Sequence, residues 1–140
     1  MSFKINVSHK GKTLKFETDN ESLVGTIIGS TIDGNEISAD LSGYELLITG
    51  TSDKAGFPGM ASEAGPGLKK KLLTYGFGMH KKPRREGKKP VQSPKGLRLR
   101  KTVRGNEISL NTIQINTKVA KEGNKKFDNL SKKEEKSEDK

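Results

Sequence analysis

Phe3, Ile5 and Val7 alternate with polar residues, the period of a strand buried on one face. His9-Lys10-Gly11 reads as a turn, and Leu14 and Phe16 resume the alternation, so residues 2–18 are expected to form a hairpin. Val24 to Ile32 is short, β-branched and bounded by glycine, which predicts another strand. Asp33-Gly34-Asn35 is a turn signal, and Glu36 to Leu41 and Tyr44 to Gly50 are expected as two further strands. Residues 51–67, rich in glycine and proline, read as a loop. Leu68 to Tyr75 leaves strand and short helix open, with strand preferred. In Leu97 to Arg104, Leu97, Leu99 and Val103 fall on one face and Arg98, Arg100 and Arg104 on the other, because side chains alternate across a strand. Lys101 interrupts the apolar face, which suits a position near a sheet edge. Ile113, Ile115, Thr117 and Val119 mark the last strand. From Lys121 the chain turns polar, and residues 131–140 are expected to be a disordered tail.

An internal repeat crosses this pattern. Residues 31–38 (TIDGNEIS) return as residues 102–109 (TVRGNEIS), with six of eight positions identical. The shared Gly-Asn is expected to supply a positive-φ turn between strands. Two readings stand: a pseudo-two-fold barrel of two β-rich halves, or no symmetry, the match being chance or two similar turns. Many short strands with glycine-rich turns and no long helical pattern favour an all-β fold in either case, a small closed or partly open β-barrel. The expected organisation is one barrel domain over residues 1–130, with a loop or arm at 76–96 inserted in it.

Composition narrows the core and points outward. Of 140 residues only 29% are hydrophobic, and Ile, Leu, Val and Phe together number 31, so the core is small. There is no cysteine, hence no disulfide framework and no thiolate zinc site. No run of about 18 apolar residues exists to form a membrane-spanning helix, and Met1 to Asn6 lacks the apolar stretch of a secretion signal. A cytoplasmic protein is the expectation.

The formal net charge of +10 is unevenly placed. Residues 1–68 carry 5 Lys and 9 acids, net −4; residues 69–104 carry 14 Lys and Arg against Glu86 alone, net +13. Such like charges repel one another until a polyanion neutralises them. An anionic membrane surface fits poorly, because Gly76, Gly78, Pro83, Gly87, Pro90, Pro94 and Gly96 forbid a continuous amphipathic helix. An extended basic arm for nucleic acid remains. A merely solvated linker is the plainer alternative, disfavoured by the near-absence of acids.

No catalytic set emerges. Gly11-Lys12-Thr13 resembles the end of a phosphate-binding loop, but Asn6 stands where the first glycine is needed. Gly76-Phe77-Gly78 lacks the third glycine of a dinucleotide fingerprint. His9 and His80 are far apart without neighbouring acids. Asp53-Lys54 is read as a loop-fixing or surface ion pair rather than an acid–base pair. The expectation is a non-enzyme with no metal, no cofactor and no small-molecule substrate.

Three stretches in order carry a resemblance: Gly43 to Gly50 (GYELLITG), Ser52 to Met60 (SDKAGFPGM), and Arg100 to Ile108 (RKTVRGNEI) followed by Gln114-Ile115-Asn116. Together they resemble the S-six-e family of archaeal and eukaryotic small-subunit ribosomal proteins, over roughly residues 22–130. The resemblance implies a β-rich fold around a small barrel. It also implies a structural role: binding small-subunit rRNA, sitting beside neighbouring small-subunit proteins, and supporting subunit assembly and translation in the cytoplasm. A free RNA-binding or RNA-chaperone module that visits ribosomes transiently is the competing reading.

The family's Arg-Lys-x-x-Arg-Gly stretch matches Arg100, Lys101 and Arg104, and its Asp-Lys-x-Gly-Phe-Pro stretch places Lys54 in a loop expected to meet RNA. Asp53 is expected to fix that loop by accepting backbone N–H bonds. Phe57 is expected beneath the loop, with stacking on a base as the alternative. The charge pattern adds Lys69, Lys70, Lys71, His80, Lys81, Lys82, Arg84, Arg85, Lys88, Lys89, Lys95 and Arg98 as RNA-binding candidates. Two departures stand out. Gly59 precedes Met60 where the family commonly runs Phe-Pro-Met, so the loop is expected to bend differently. The mixed-charge C-terminal tail lacks the serine-bearing basic extension of eukaryotic members, which suits the short archaeal form.

Overall fold

The computed structural model of the chain describes residues 2–80 and 94–130. Seven strands form among them: β1 Phe3–His9, β2 Lys12–Thr18, β3 Thr31–Asp33, β4 Glu45–Asp53, β5 Leu68–Thr74, β6 Arg98–Arg104 and β7 Thr112–Lys121. Five make one sheet in the order β2-β1-β7-β4-β3, while β5 and β6 make a separate two-stranded ribbon. The large sheet curls into a half-barrel with β2 and β3 as its edges, the partly open form of the expected barrel.

The predicted hairpin is present. Lys10 (φ 45°) and Gly11 (φ 82°) form its two-residue turn, both in the left-handed region that matches the twist of a hairpin. β1 then runs parallel to β7, with Ile5 opposite Ile115. Register shifts between Glu45 and Leu46, Ile48 and Gly50, and Ser52 and Asp53 bend β4 along β7. The concave face carries the core: Ile5 and Val7 from β1, Leu46 and Ile48 from β4, and Ile115 from β7 are buried together. Phe127 and Leu130, in a helical turn at 127–130, are buried in the same core. Residues 131–140, read as a tail, lie outside the described residues.

Two strand expectations fail. Val24 to Ile32 is not a strand: a 3-10 turn at Glu21–Leu23 leads into irregular chain, and only Thr31–Asp33 is extended. Gly25 (φ 90°) and Gly29 (φ 97°) take left-handed conformations that break any strand, overriding the β-branched residues between them. Glu36 to Leu41 is likewise not a strand but two 3-10 turns, Gly34–Glu36 and Ala39–Leu41. Ser38 caps the second by accepting from the Asp40 amide at 3.3 Å. The buried residues of the Glu36 to Leu41 segment, Ile37 and Leu41, stand four apart, a helical rather than a strand spacing. The loop read from residue 51 starts later, because β4 runs on to Asp53.

The repeat has a different physical basis from the one expected. Neither Gly34 nor Gly105 has positive φ. Both are instead required for space. A β-carbon on Gly34 would lie 2.2 Å from the Leu41 carbonyl oxygen, and one on Gly105 would lie 1.6 Å from that of Gly65. Around each glycine the repeat buries equivalent side chains, Ile32 and Ile37 in one copy and Val103 and Ile108 in the other. The copies lie in different sheets, so the shared sequence encodes one local device used twice: a strand end that passes directly beneath another backbone.

Candidate nucleic-acid interface

The ribbon is built from sequence that alternates on both strands. Opposite residues of an antiparallel pair share a face, and the register is Leu68↔Arg104, Lys70↔Thr102, Leu72↔Arg100 and Thr74↔Arg98 on one side. Lys69↔Val103, Lys71↔Lys101 and Leu73↔Leu99 share the other. Val103 is buried and Leu73 and Leu99 are half-buried, so the second face packs inward, as the strand pattern of Leu97 to Arg104 predicts. The first is turned to solvent, with Lys70, Arg98 and Arg100 exposed alongside Leu68 and Leu72.

The inward face still carries three lysines, and a carboxylate tempers them. Glu63 lies 2.8 Å from Lys71 and 3.5 Å from Lys69. The hydrogen bond and charge of Lys71, with those of Lys69, hold the Glu63 carboxyl below the usual glutamate range. The sign follows: a lowered acid favours this clamp above the ordinary glutamate pKa and releases it as pH falls through the lowered value. Sequence reading missed Glu63; the signal was that it is the sole acid between Asp53 and Glu86.

At the ribbon base, the stretches at 52–60 and 100–108 meet. Asp53 Oδ1 accepts from the amides of Ala55 at 2.9 Å and Phe57 at 2.7 Å, fixing the loop as expected. Its Oδ2 accepts from Arg104 Nε at 3.0 Å, and Arg104 Nη1 donates to the Pro66 carbonyl at 2.8 Å. The partner of Asp53 is therefore Arg104, not Lys54. Both side chains are nearly covered, 2% exposed for Asp53 and 11% for Arg104. The row of three guanidiniums predicted along β6 is thus divided: Arg98 and Arg100 face solvent, whereas Arg104 is folded onto the loop it holds.

That loop is tightly seated. The Arg104 amide donates to Pro58 O, the Met60 amide to Arg104 O, and the Gly59 amide to Thr51 O. Gly59 is buried, and a β-carbon there would lie 2.0 Å from Thr51 Oγ1. Phe57 is half-buried against the same structure, and Lys54 is exposed at its edge.

Two further candidates lie at the far end of the ribbon. Lys95 is exposed in the turn before β6, and His80 is exposed at the end of β5's extension. Lys81, Lys82, Arg84, Arg85, Lys88 and Lys89 lie outside the described residues, between His80 and Pro94. The open face of the ribbon, with Lys70, Arg98 and Arg100 exposed, is itself cationic. Among the described residues no group of three or more His, Cys, Asp or Glu gathers as a metal site, and no helix is long and apolar enough to cross a membrane.

The family model described as Ribosomal protein S6e matches residues 1–132. The chain belongs to the ribosomal protein S6e family. Its relatives include the small ribosomal subunit protein eS6 of Methanothermobacter thermautotrophicus, 41% identical over 133 residues, covering 93% of this chain and 95% of that protein. The protein of the same name from Methanococcus maripaludis is 41% identical over 125 residues, 88% and 90% of the two chains. That of Nanoarchaeum equitans is 39% identical over 121 residues, 86% and 80%. S6e membership confirms the resemblance carried by the GYELLITG, SDKAGFPGM and RKTVRGNEI stretches and extends it to the N-terminal hairpin.

Proposed function

We propose that this S6e chain is a structural, non-enzymatic component of the small ribosomal subunit that binds rRNA through the β5–β6 ribbon and the basic arm that lies between the two strands in sequence. In this reading residues 1–130 fold as one unit, the half-barrel anchors the ribbon, and the ribbon carries the arm into RNA beside neighbouring small-subunit proteins in the cytoplasm. The observation that carries it is the segregation of charge on the ribbon: Lys70, Arg98 and Arg100 stand exposed on one face, while the nearby acids, Glu63 and Asp53, are occupied elsewhere. Successive arginines on one strand face stand about 7 Å apart, an array suited to consecutive phosphates. Folded RNA is met largely through its phosphates and 2′-hydroxyls, and affinity comes from counterion release. Lys54, Lys69, Lys71, Lys101, Lys95 and the arm cations add to this field. Arg104 acts in this scheme chiefly by holding the loop in place.

Replacing Lys70, Arg98 and Arg100 together by serine is expected to weaken binding to a small-subunit rRNA transcript. It should also flatten the log–log salt dependence by about 2 to 3 units, roughly one per lost phosphate contact. Filter binding or anisotropy at several salt concentrations reads both quantities. An unchanged slope in a variant that remains folded would remove the ribbon face from the interface.

A further inference from the structure

The tip of the ribbon carries aromatic side chains that charge alone does not explain. After β5 the chain makes a tight turn: the Gly76 amide donates to Met79 O at 2.9 Å and the Met79 amide to Gly76 O at 3.2 Å. Phe77 and Gly78 form its end. Gly78 (φ 76°) lies against the ribbon, where a β-carbon would sit 3.1 Å from Leu73 Cδ1, and Met79 is fully buried. The turn is thus nailed down at Gly78 and Met79, yet Phe77 is 60% exposed and Tyr75 52% exposed. The Tyr75 ring meets the His80 ring edge to face, with centroids 6.0 Å apart. Arg98 lies opposite Thr74, one residue before Tyr75, and is exposed with Arg100. An anchored turn therefore presents aromatic rings to solvent beside exposed cations.

We infer that Tyr75, Phe77 and His80 form a stacking platform for an unpaired RNA base, a reading that rests on the RNA-binding function proposed above. A paired base hides its faces in the helix stack, so an aromatic ring reaches only bases in loops, bulges or ends. Stacking is tolerant of sequence because every base has a π-face, and neighbouring cations hold the adjoining phosphates. The platform thus adds to the charged ribbon a preference for single-stranded RNA over duplex.

The test uses two RNA probes of equal charge: a hairpin with 2-aminopurine in a single-stranded loop, and a fully paired duplex of the same length. The wild-type chain is expected to prefer the hairpin and to quench its 2-aminopurine fluorescence. Phe77→Leu keeps the apolar bulk but removes the π-face. It should lower hairpin affinity roughly 5- to 100-fold, leave the salt slope unchanged, and abolish the quenching. Phe77→Tyr should restore all three. Equal hairpin binding by wild type and Phe77→Leu, or equal losses in Phe77→Leu and Phe77→Tyr, would overturn the stacking platform while salt-dependent RNA binding persists. The second pattern would indicate that Phe77 packs against a protein neighbour or its own chain. Absence of salt-dependent binding to either probe by the wild type would overturn the RNA-binding reading, and the platform with it.

Discussion

Replacing Gly105 by alanine is expected to destabilise the fold by at least about 3 kcal/mol, lowering the melting temperature by about 10 °C or more. The added β-carbon would fall 1.6 Å from the Gly65 carbonyl oxygen and 2.7 Å from its carbon, both backbone atoms. No rotamer change relieves such an overlap; the chain at 63–67 must move. Its movement would strain the Gly105 amide bond to Gly67 O at 3.0 Å and the Asn106 amide bond to Glu63 O at 2.7 Å. It would also pull Glu63 from Lys71. Gly50→Ala is the matched control, because a β-carbon there meets nothing within 4 Å. Thermal unfolding followed by circular dichroism should show a large drop for Gly105→Ala and none for Gly50→Ala. Equal melting temperatures would mean that the loop yields freely and that the repeat's glycine has another purpose.

The second large effect concerns Asp53. Asp53→Ala removes the acceptor of three donors at once, the amides of Ala55 and Phe57 and Arg104 Nε. Leaving two amides unpaired and the nearly covered Arg104 without its counter-charge, held only by the Pro66 carbonyl, is expected to cost about 3 kcal/mol. Arg104→Ala should cost less, because Asp53 keeps its two amide donors. The double variant should fall short of the sum by about 1 kcal/mol or more, the signature of direct coupling. Additive losses in denaturant melts would contradict the pairing. The same cycle separates the two roles assigned along β6: Arg98→Ser and Arg100→Ser should leave stability nearly unchanged, since both side chains are exposed.

How much of this was legible in the sequence depends on the range of the forces involved. β1, β2, β4 and β7 were readable because a two-residue alternation directly reports one buried face. The two-faced reading of Leu97 to Arg104 survives in the ribbon for the same reason. What failed was chain whose conformation is set by distant backbone. Val24 to Ile32 carries strand-forming residues, but Gly25 and Gly29 turn it so that it bonds to residues 106 and 108 and to β4 instead. In Glu36 to Leu41, buried residues four apart were the signal for helical turns and were outweighed by the flanking strands.

The site was legible as a composition and only partly as a geometry. Counting cations pointed to residues 69–104, a span that takes in β5 from Lys69 and all of β6. It did not reveal that Arg104 closes on Asp53 across 51 positions, because an ion pair of that separation exists only after the loop has folded. Nor did charge counting notice Tyr75 and Phe77, whose exposure arises from the anchored turn rather than from polarity.

The most direct test of the central claim is sedimentation of a lysate from cells making the chain at its natural level, through a sucrose gradient, followed by a high-salt wash of the small subunits and probing for this protein. Recovery at about one copy per small subunit after the wash is the result the account predicts. Recovery only in the light fractions, or complete loss from subunits on washing, would contradict it and favour a free RNA-binding module that visits ribosomes transiently.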